Sequence, residues 1–249
     1  MAKLLKKRKF LSHKKVLSLI KRRMRTKRPL SLVRVGDGEN IVLAQQGVWP
    51  IRKVLRTKWA KKSRRSNKKG VSLPNMRLRN QMIRALRRAS IVGIPHRKER
   101  QIKAKRIFLR PLTEKNFRKY KIKPRHVCHT FINRHLPEKK EFWDMLKGKR
   151  VILISKWAKQ FRRYVKNNYP KHRIRIIPIS FSNYNQINRI LKRVKPIKAD
   201  IVLVSTGVNA LVLVDQLART QRRVAIDFGK APMLILKRDK RVRPWKPRK

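Results

Sequence analysis

The stretch Ile201-Val-Leu-Val-Ser-Thr-Gly-Val-Asn-Ala210 decides how this chain is read. Its first four residues are apolar without alternation, so a strand there has no face to give to water. Parallel strands lying between two helical layers have this pattern. Ser205, Thr206 and Gly207 then interrupt the run, and a helix-like pattern follows from Asn209 to Ala218. Strand, short turn and helix in that order form the building unit of an α/β layered sheet.

Val151-Ile-Leu-Ile154 repeats the pattern. Working outward from these two runs, strands are expected at Leu30–Val35, Ile91–Ile94, His126–Ile132, Arg150–Ser155, Arg173–Ile179, Asp200–Ser205 and Arg223–Asp227. Helical patterns lie near Asn40–Gln46, Pro74–Arg88, Lys139–Leu146, Ala158–Asn168, Tyr184–Val194 and Asn209–Ala218. The expected fold class is α/β: a Rossmann-like layered sheet, mostly parallel, with helices on both faces. Ligands of such sheets bind beyond the carboxyl ends of the strands. The residues after each strand are therefore where chemistry is sought.

The 249 residues, 41% of them hydrophobic, suffice for one large domain with a substantial core. Apolar runs of this kind exclude a wholly disordered polycation. The single cysteine, Cys128, excludes an internal disulfide and the usual cysteine-based zinc sites. No apolar run approaches the ~20 residues that cross a bilayer. The first residues are basic and lack the apolar stretch of a secretory signal. A soluble, cytoplasmic protein is expected.

Charge sets the chain apart. Lys and Arg number 73 against 11 Asp and Glu, a formal charge of +62. Such a polycation attracts nucleic acid, polyphosphate or anionic membrane at low salt whatever its fold, so non-specific nucleic-acid contact is expected. Sequence-specific reading of DNA is not. No helix-turn-helix, zinc-finger or aromatic RNA-binding signature occurs, and the five Trp are scattered. Three regions are expected. Residues 1–29 form a basic leader whose Leu4, Leu5, Phe10, Leu11, Val16, Leu17 and Ile20 follow helical spacing, best read as a helix packing on the domain. Residues 30–236 form the folded domain, and residues 237–249 a basic, disordered tail.

The scarcity of acid makes one turn conspicuous. No Asp or Glu occurs before Arg34-Val35-Gly36-Asp37-Gly38-Glu39-Asn40, which then supplies two. The pair follows the apolar run Leu30–Val35, is flanked by glycines and precedes a helical pattern. Glycine permits a tight turn and close backbone approach to a ligand. Two carboxylates on one turn suit a hard divalent cation that also holds phosphate oxygens. The competing reading is a turn whose acids cap the following helix. Elsewhere, backbone N–H groups around Gly207 and Asn209 suit a phosphate, and Arg34 and Arg134 could fork onto a diphosphate. Asp227 ends a strand, where it could orient a nucleoside hydroxyl or hold a basic neighbour. No nucleophile or general base stands out among His96, His126, His129 and His135.

The segment Ser31-Leu-Val-Arg-Val-Gly-Asp-Gly-Glu-Asn-Ile-Val-Leu-Ala-Gln45 resembles the opening motif of the bacterial GT-D type glycosyltransferases. Ile91-Val-Gly-Ile-Pro95, Asn133-Arg134, Ser205-Thr-Gly-Val-Asn-Ala210 and Ala225-Ile-Asp-Phe-Gly-Lys-Ala231 agree in order and approximate spacing, from about Pro29 to Leu236. The resemblance implies a variant nucleotide-binding fold that transfers a sugar from a nucleoside-diphosphate donor, with a UDP-sugar expected, to an acceptor the sequence does not specify. It assigns Asp37 and Glu39 to a divalent cation, Mn²⁺ or Mg²⁺, and to catalysis. Arg34, Gly36, Gly38, Asn133, Arg134, Gly207, Asn209 and Asp227 are the expected nucleotide- and phosphate-binding residues. Surface positions that are mixed or acidic in the family are Lys or Arg here, which a polyanionic acceptor, an anion-rich compartment or conversion of the scaffold to packing a polyanion would favour. The alternative is a non-enzymatic polyanion-binding protein, holding nucleic acid or an acidic polymer on a transferase-like scaffold.

Overall fold

The computed structural model describes residues 10–66, 69–98, 102 and 104–237. In chain order the elements are α1 (His13–Arg25), β1 (Leu30–Arg34), α2 (Asp37–Ala44), α3 (Ile51–Leu55), α4 (Lys58–Ser66), α5 (Met76–Arg88) and β2 (Ile91–Ile94). Then come α6 (Arg110–Lys119), β3 (Val127–His129), α7 (Ile132–His135), α8 (Lys140–Met145), β4 (Arg150–Ser155) and α9 (Ala158–Asn168). The chain continues through β5 (Arg175–Ile179), α10 (Ile187–Val194), β6 (Ile201–Ser205), α11 (Ala210–Thr220), β7 (Val224–Asp227) and α12 (Ala231–Lys237).

The seven strands form one sheet in the order β3-β2-β1-β7-β6-β4-β5, and every pairing is parallel. Alternation along each strand divides the core in two. Val33 and Val35, Ile152 and Ile154, and Val202 and Val204 face one apolar cluster with α2, α5, α6, α10 and α11. Leu30 and Leu32, Val151 and Leu153, and Ile201 and Leu203 face the other, with α1, α8 and α9. Both faces are thus dry, as the unalternated runs require. Each such aliphatic side chain contributes about 1.5–3 kcal/mol by leaving water.

Local signals place several helices. Asn75 Oδ1 accepts from the Leu78 N–H at 2.8 Å and starts α5, whose Leu78, Met82, Ala85 and Leu86 are buried at helical spacing. The Ser12 hydroxyl caps α1, and Val16, Leu17 and Ile20 pack that helix onto the second cluster. Leu11 N–H donates to Val127 O at 2.8 Å, so the segment before α1 lies along the edge strand β3. Leu4, Leu5 and the tail beyond Lys237 lie outside the described residues.

Two expected strands are shorter by more than one residue than the sequence suggests. The run His126–Ile132 is a strand only over Val127–His129. Thr130 then turns inward, its hydroxyl donating to Val35 O at 3.0 Å, and Ile132 buries its side chain from the helical turn α7 instead. In Arg173–Ile179 the strand begins at Arg175, because Arg173 is left-handed at φ 49° and closes the preceding turn. The sequence reading passed over α3, α4, α6 and α12. Of the first three, α3 has only five residues, Lys and Arg make up five of the nine in α4, and α6 buries Arg110, Thr113 and Asn116 beside only Leu112 and Phe117. An apolar-periodicity argument has little to detect there.

Candidate functional site

β1 and β7 are neighbours whose following helices pack on opposite faces of the sheet, α2 on the first cluster and α12 on the second, and the crevice of a parallel sheet opens at such a point. The Gly36–Asn40 turn leaves β1 there and becomes the first turn of α2. Glu39 Oε2 accepts from the Gly36 N–H at 2.8 Å, so one oxygen of this carboxylate does the capping work. Both acids also complement the positive end of α2. Gly38 is required by packing: a Cβ there would lie 2.6 Å from Trp59 Nε1 on α4. Buried Asn40 secures the turn from below, its Nδ2 donating to Phe108 O, Leu109 O and Thr113 Oγ1 at 3.0, 3.1 and 2.9 Å.

Burial, reinforced by Asp227 and Asp37, pushes the Glu39 carboxyl up to about 7, while Arg34 pulls it down. Arg34 does not extend towards a ligand. Its Nη2 donates to Asp227 Oδ1 at 3.0 Å, its Nη1 to Thr130 O at 3.0 Å and its Nε to Asp227 O at 3.3 Å. The guanidinium therefore ties together the ends of β1, β3 and β7. Asp227 is fully buried and its carboxyl is raised, because desolvation outweighs the pull of Arg34.

The neighbouring strand ends join the same crevice. Asn133 Nδ2 donates to Phe228 O at 2.9 Å, and the Ser205 hydroxyl donates to Gly229 O. Gly229 has φ 50°, and a Cβ on it would lie 2.3 Å from Arg34 Nη2 and 2.4 Å from Asn133 Nδ2. Gly207, also left-handed at φ 62°, opens the turn into α11. Asn209 Nδ2 reaches across to Gly70 O at 2.9 Å. Asn133 Oδ1, Thr206 Oγ1, Asn209 Oδ1 and Asp227 Oδ2 are buried without a protein hydrogen-bond partner. Buried polar atoms left unpaired at one end of a sheet are what a polar ligand satisfies.

The structure thus brings Gly36, Asp37, Gly38 and Glu39 together with Asn133, Arg134, Gly207, Asn209 and Asp227 at one carboxyl edge. Sequence reasoning missed Trp59, Lys69 and Lys230. Lys69 Nζ stands 5.7 Å above the Trp59 ring. Lys230 is an exposed residue overall, yet its ammonium is lowered from the ordinary lysine range. Desolvation is the main cause, then the charges of Arg134 and Lys69, against the opposing pull of Asp37 and Glu39. Lys230 therefore stands in the field of two cations and two acids at once. Lys230 stood in the Asp227-Phe-Gly-Lys segment already singled out, but Trp59 and Lys69 carried no local signal.

As a metal site the turn supplies Asp37 and the second oxygen of Glu39. No third His, Cys, Asp or Glu joins them among the described residues. That set fits a divalent cation shared with ligand phosphate oxygens, as Mg²⁺ is commonly bound, and does not fit a site closed by protein alone.

Seven parallel strands with helices on both faces, and polar strand ends gathered at one edge, define an α/β protein of the doubly wound class. A family model described as a GT-D fold-like domain matches residues 11–235, and the chain belongs to that family. It is similar to a solved structure described as "The highly conserved domain of unknown function 1792 has a distinct glycosyltransferase fold", with a TM-score of 0.60 and 18% identity, over 90% of this chain and 79% of that one. At that identity the likeness is one of fold. A search of curated proteins by sequence found no match. No helix among the described residues is long and apolar enough to cross a membrane.

Proposed function

We propose that the protein is a glycosyltransferase that takes a sugar from a nucleoside-diphosphate donor, a UDP-sugar first among those to test, and passes it to an anionic acceptor. One observation carries the reading. Asp37 and Glu39, two residues apart in a +62 chain, follow the end of β1, and both act electrostatically on Lys230, which also feels Arg134 and Lys69. Cations placed so can stabilise the negative charge that develops on a departing diphosphate. The backbone at Gly207 and the start of α11 offers N–H donors to the same phosphates. Asn133, Thr206, Asn209 and Asp227 each keep a buried polar atom for nucleoside or sugar hydroxyls. Asp37 and Glu39 would hold a divalent cation, Mn²⁺ or Mg²⁺, which would supply further positive charge to the diphosphate. Arg34 holds the strand ends in place and leaves the phosphates to the other cations.

The charge of +62 favours a second reading, a non-enzymatic scaffold that binds nucleic acid or an acidic polymer. Thermal unfolding at fixed ionic strength separates the two. UDP with Mn²⁺ should stabilise the protein by about 2.7 kcal/mol at a hundredfold excess over its dissociation constant. UDP without metal should do much less. No response to any nucleotide diphosphate, alongside a strong response to DNA, would leave only the scaffold.

A further inference from the structure

The carboxyl edge of the sheet continues past this cleft. Ser205 pairs in register with Ser155, and Ile154 with Ile179, so Ser205, Ser155 and Ser180 follow one another across the ends of β6, β4 and β5. At a strand spacing of about 4.8 Å, Ser180 lies roughly 10 Å from Ser205. A cavity of about 560 Å³ opens at that place, its polar lining supplied by Lys156, Ser180, Ser182, Gln186, Arg189 and Arg193 and its apolar lining by Phe181 and Ile190. No acid lines it, and among the described residues none of its three cations enters an ion pair. Gln186 Oε1 accepts from the Ser182 N–H at 2.8 Å and holds the wall.

Gly70 links this cavity's lining segment to the cleft. Its carbonyl accepts from Asn209 Nδ2 at 2.9 Å and from the Tyr184 N–H at 2.8 Å, and Tyr184 lies between the lining residues Ser182 and Gln186. A Cβ on Gly70 would lie 3.0 Å from Ser182 O. The cavity and Asn209 are therefore joined through one close-packed residue.

Resting on the transferase reading above, we infer that this cavity binds a phosphate group carried by the acceptor, and so selects a phosphorylated small molecule. Two guanidiniums offer forked donors and Lys156 a third positive charge, a set that matches a dianion with three free oxygens. The serine hydroxyls supply further donors. The volume exceeds that of a phosphate alone and leaves room for the sugar or polyol that bears it. An offset of roughly 10 Å from Ser205 separates the phosphate from the donor end.

The test compares the full chain, Arg189→Gln/Arg193→Gln, and Arg162→Gln/Arg163→Gln, a control that removes equal charge from the exposed side of α9. Arg189 and Arg193 are exposed on α10, so the core is untouched. Glucose 6-phosphate is titrated at constant ionic strength while backbone hydrogen exchange is followed across residues 180–194. Protection is expected in wild type and control, with half-saturation at least about tenfold higher in Arg189→Gln/Arg193→Gln. Equal responses in all three proteins would overturn the site as generic cation attraction. Equal protection by glucuronate would overturn the preference for phosphate, and stronger protection by a short DNA duplex would replace the small molecule with nucleic acid. UDP with Mn²⁺ should bind wild type and Arg189→Gln/Arg193→Gln alike. If UDP binds neither while glucose 6-phosphate still requires Arg189 and Arg193, the transferase reading falls and the phosphate site stands. If UDP binds both and glucose 6-phosphate discriminates neither, the phosphate site alone falls.

Discussion

Arg34 and Asp227 face each other across the ends of adjacent strands β1 and β7, with Nη2 and Oδ1 3.0 Å apart and the two side chains 15% and 1% exposed. The pair also fixes the Thr130 carbonyl of the β3 end, through Arg34 Nη1. It is thus the fastening of the floor on which the candidate site rests. Removing one partner of a buried ion pair costs about 3–5 kcal/mol, because the other charge stays buried and unpaired. Arg34→Met should lose that much in urea unfolding. Adding Asp227→Asn should recover part of it, since the orphaned charge is then gone. A double variant less stable than the sum of the singles would contradict this account.

Glu39 gives the stability a pH signature. Its carboxyl stands at about 7 in the fold against 4.5 when free, so the folded state holds the extra proton between those values. The stabilisation is therefore complete below about 4.5 and is lost as pH rises through about 7. The ceiling is roughly 3 kcal/mol, and the residual solvent exposure of this half-buried side chain lowers it. Glu39→Gln keeps an acceptor for the Gly36 N–H but cannot ionise. Urea unfolding of this variant should show a flatter pH profile over that window than wild type. Parallel profiles would assign the slope to other groups.

Packing at Gly38 predicts a change of sign. A Cβ there meets the Trp59 indole at 2.6 Å, so Gly38→Ala should cost about 1–3 kcal/mol through overpacking. In a Trp59→Ala background the obstacle is gone, and alanine should then stabilise the first turn of α2 by about 0.5–1 kcal/mol. The double-mutant cycle, read by urea unfolding, measures this coupling. Additive effects would show that Trp59 moves aside without cost.

Metal dependence belongs to Asp37 on this account. Asp37→Asn should lower the Mn²⁺-enhanced affinity for UDP by about tenfold or more while leaving the unfolding midpoint near wild type. Exposed Glu141→Gln is the matching control. Calorimetric titration with and without metal checks it. Equal UDP affinity in wild type and Asp37→Asn under both conditions removes the carboxylate pair from nucleotide binding.

Association with DNA should behave as a separate electrostatic layer. If 6–10 phosphates are neutralised, affinity should fall by about 10³–10⁵ between 50 and 200 mM salt, with little dependence on base sequence. On the transferase reading, UDP binding at the cleft should change far less over the same range. Salt-resistant, sequence-selective DNA binding would favour a nucleic-acid reader.

The sequence by itself determined the layered sheet, because burial on both faces leaves a local mark: the unalternated runs at Val151–Ile154 and Ile201–Val204 cannot face water on either side. It also isolated Asp37 and Glu39, because acids are scarce and glycines flank them. Where periodicity was misleading, as at Phe131 and Ile132, apolar residues served a helical turn as readily as a strand. Only the tertiary structure decided what stands around the pair. Strand order brings Thr130 and Asp227 to Arg34 from 96 and 193 residues away, and no local pattern encodes strand order. The same assembly sets Trp59, Lys69 and Lys230 over the turn and turns Arg34 inward. Among 73 cations of similar sequence surroundings, position in space distinguishes those that face the acids, because electrostatic and hydrogen-bonding effects depend on distances that form only when the sheet closes.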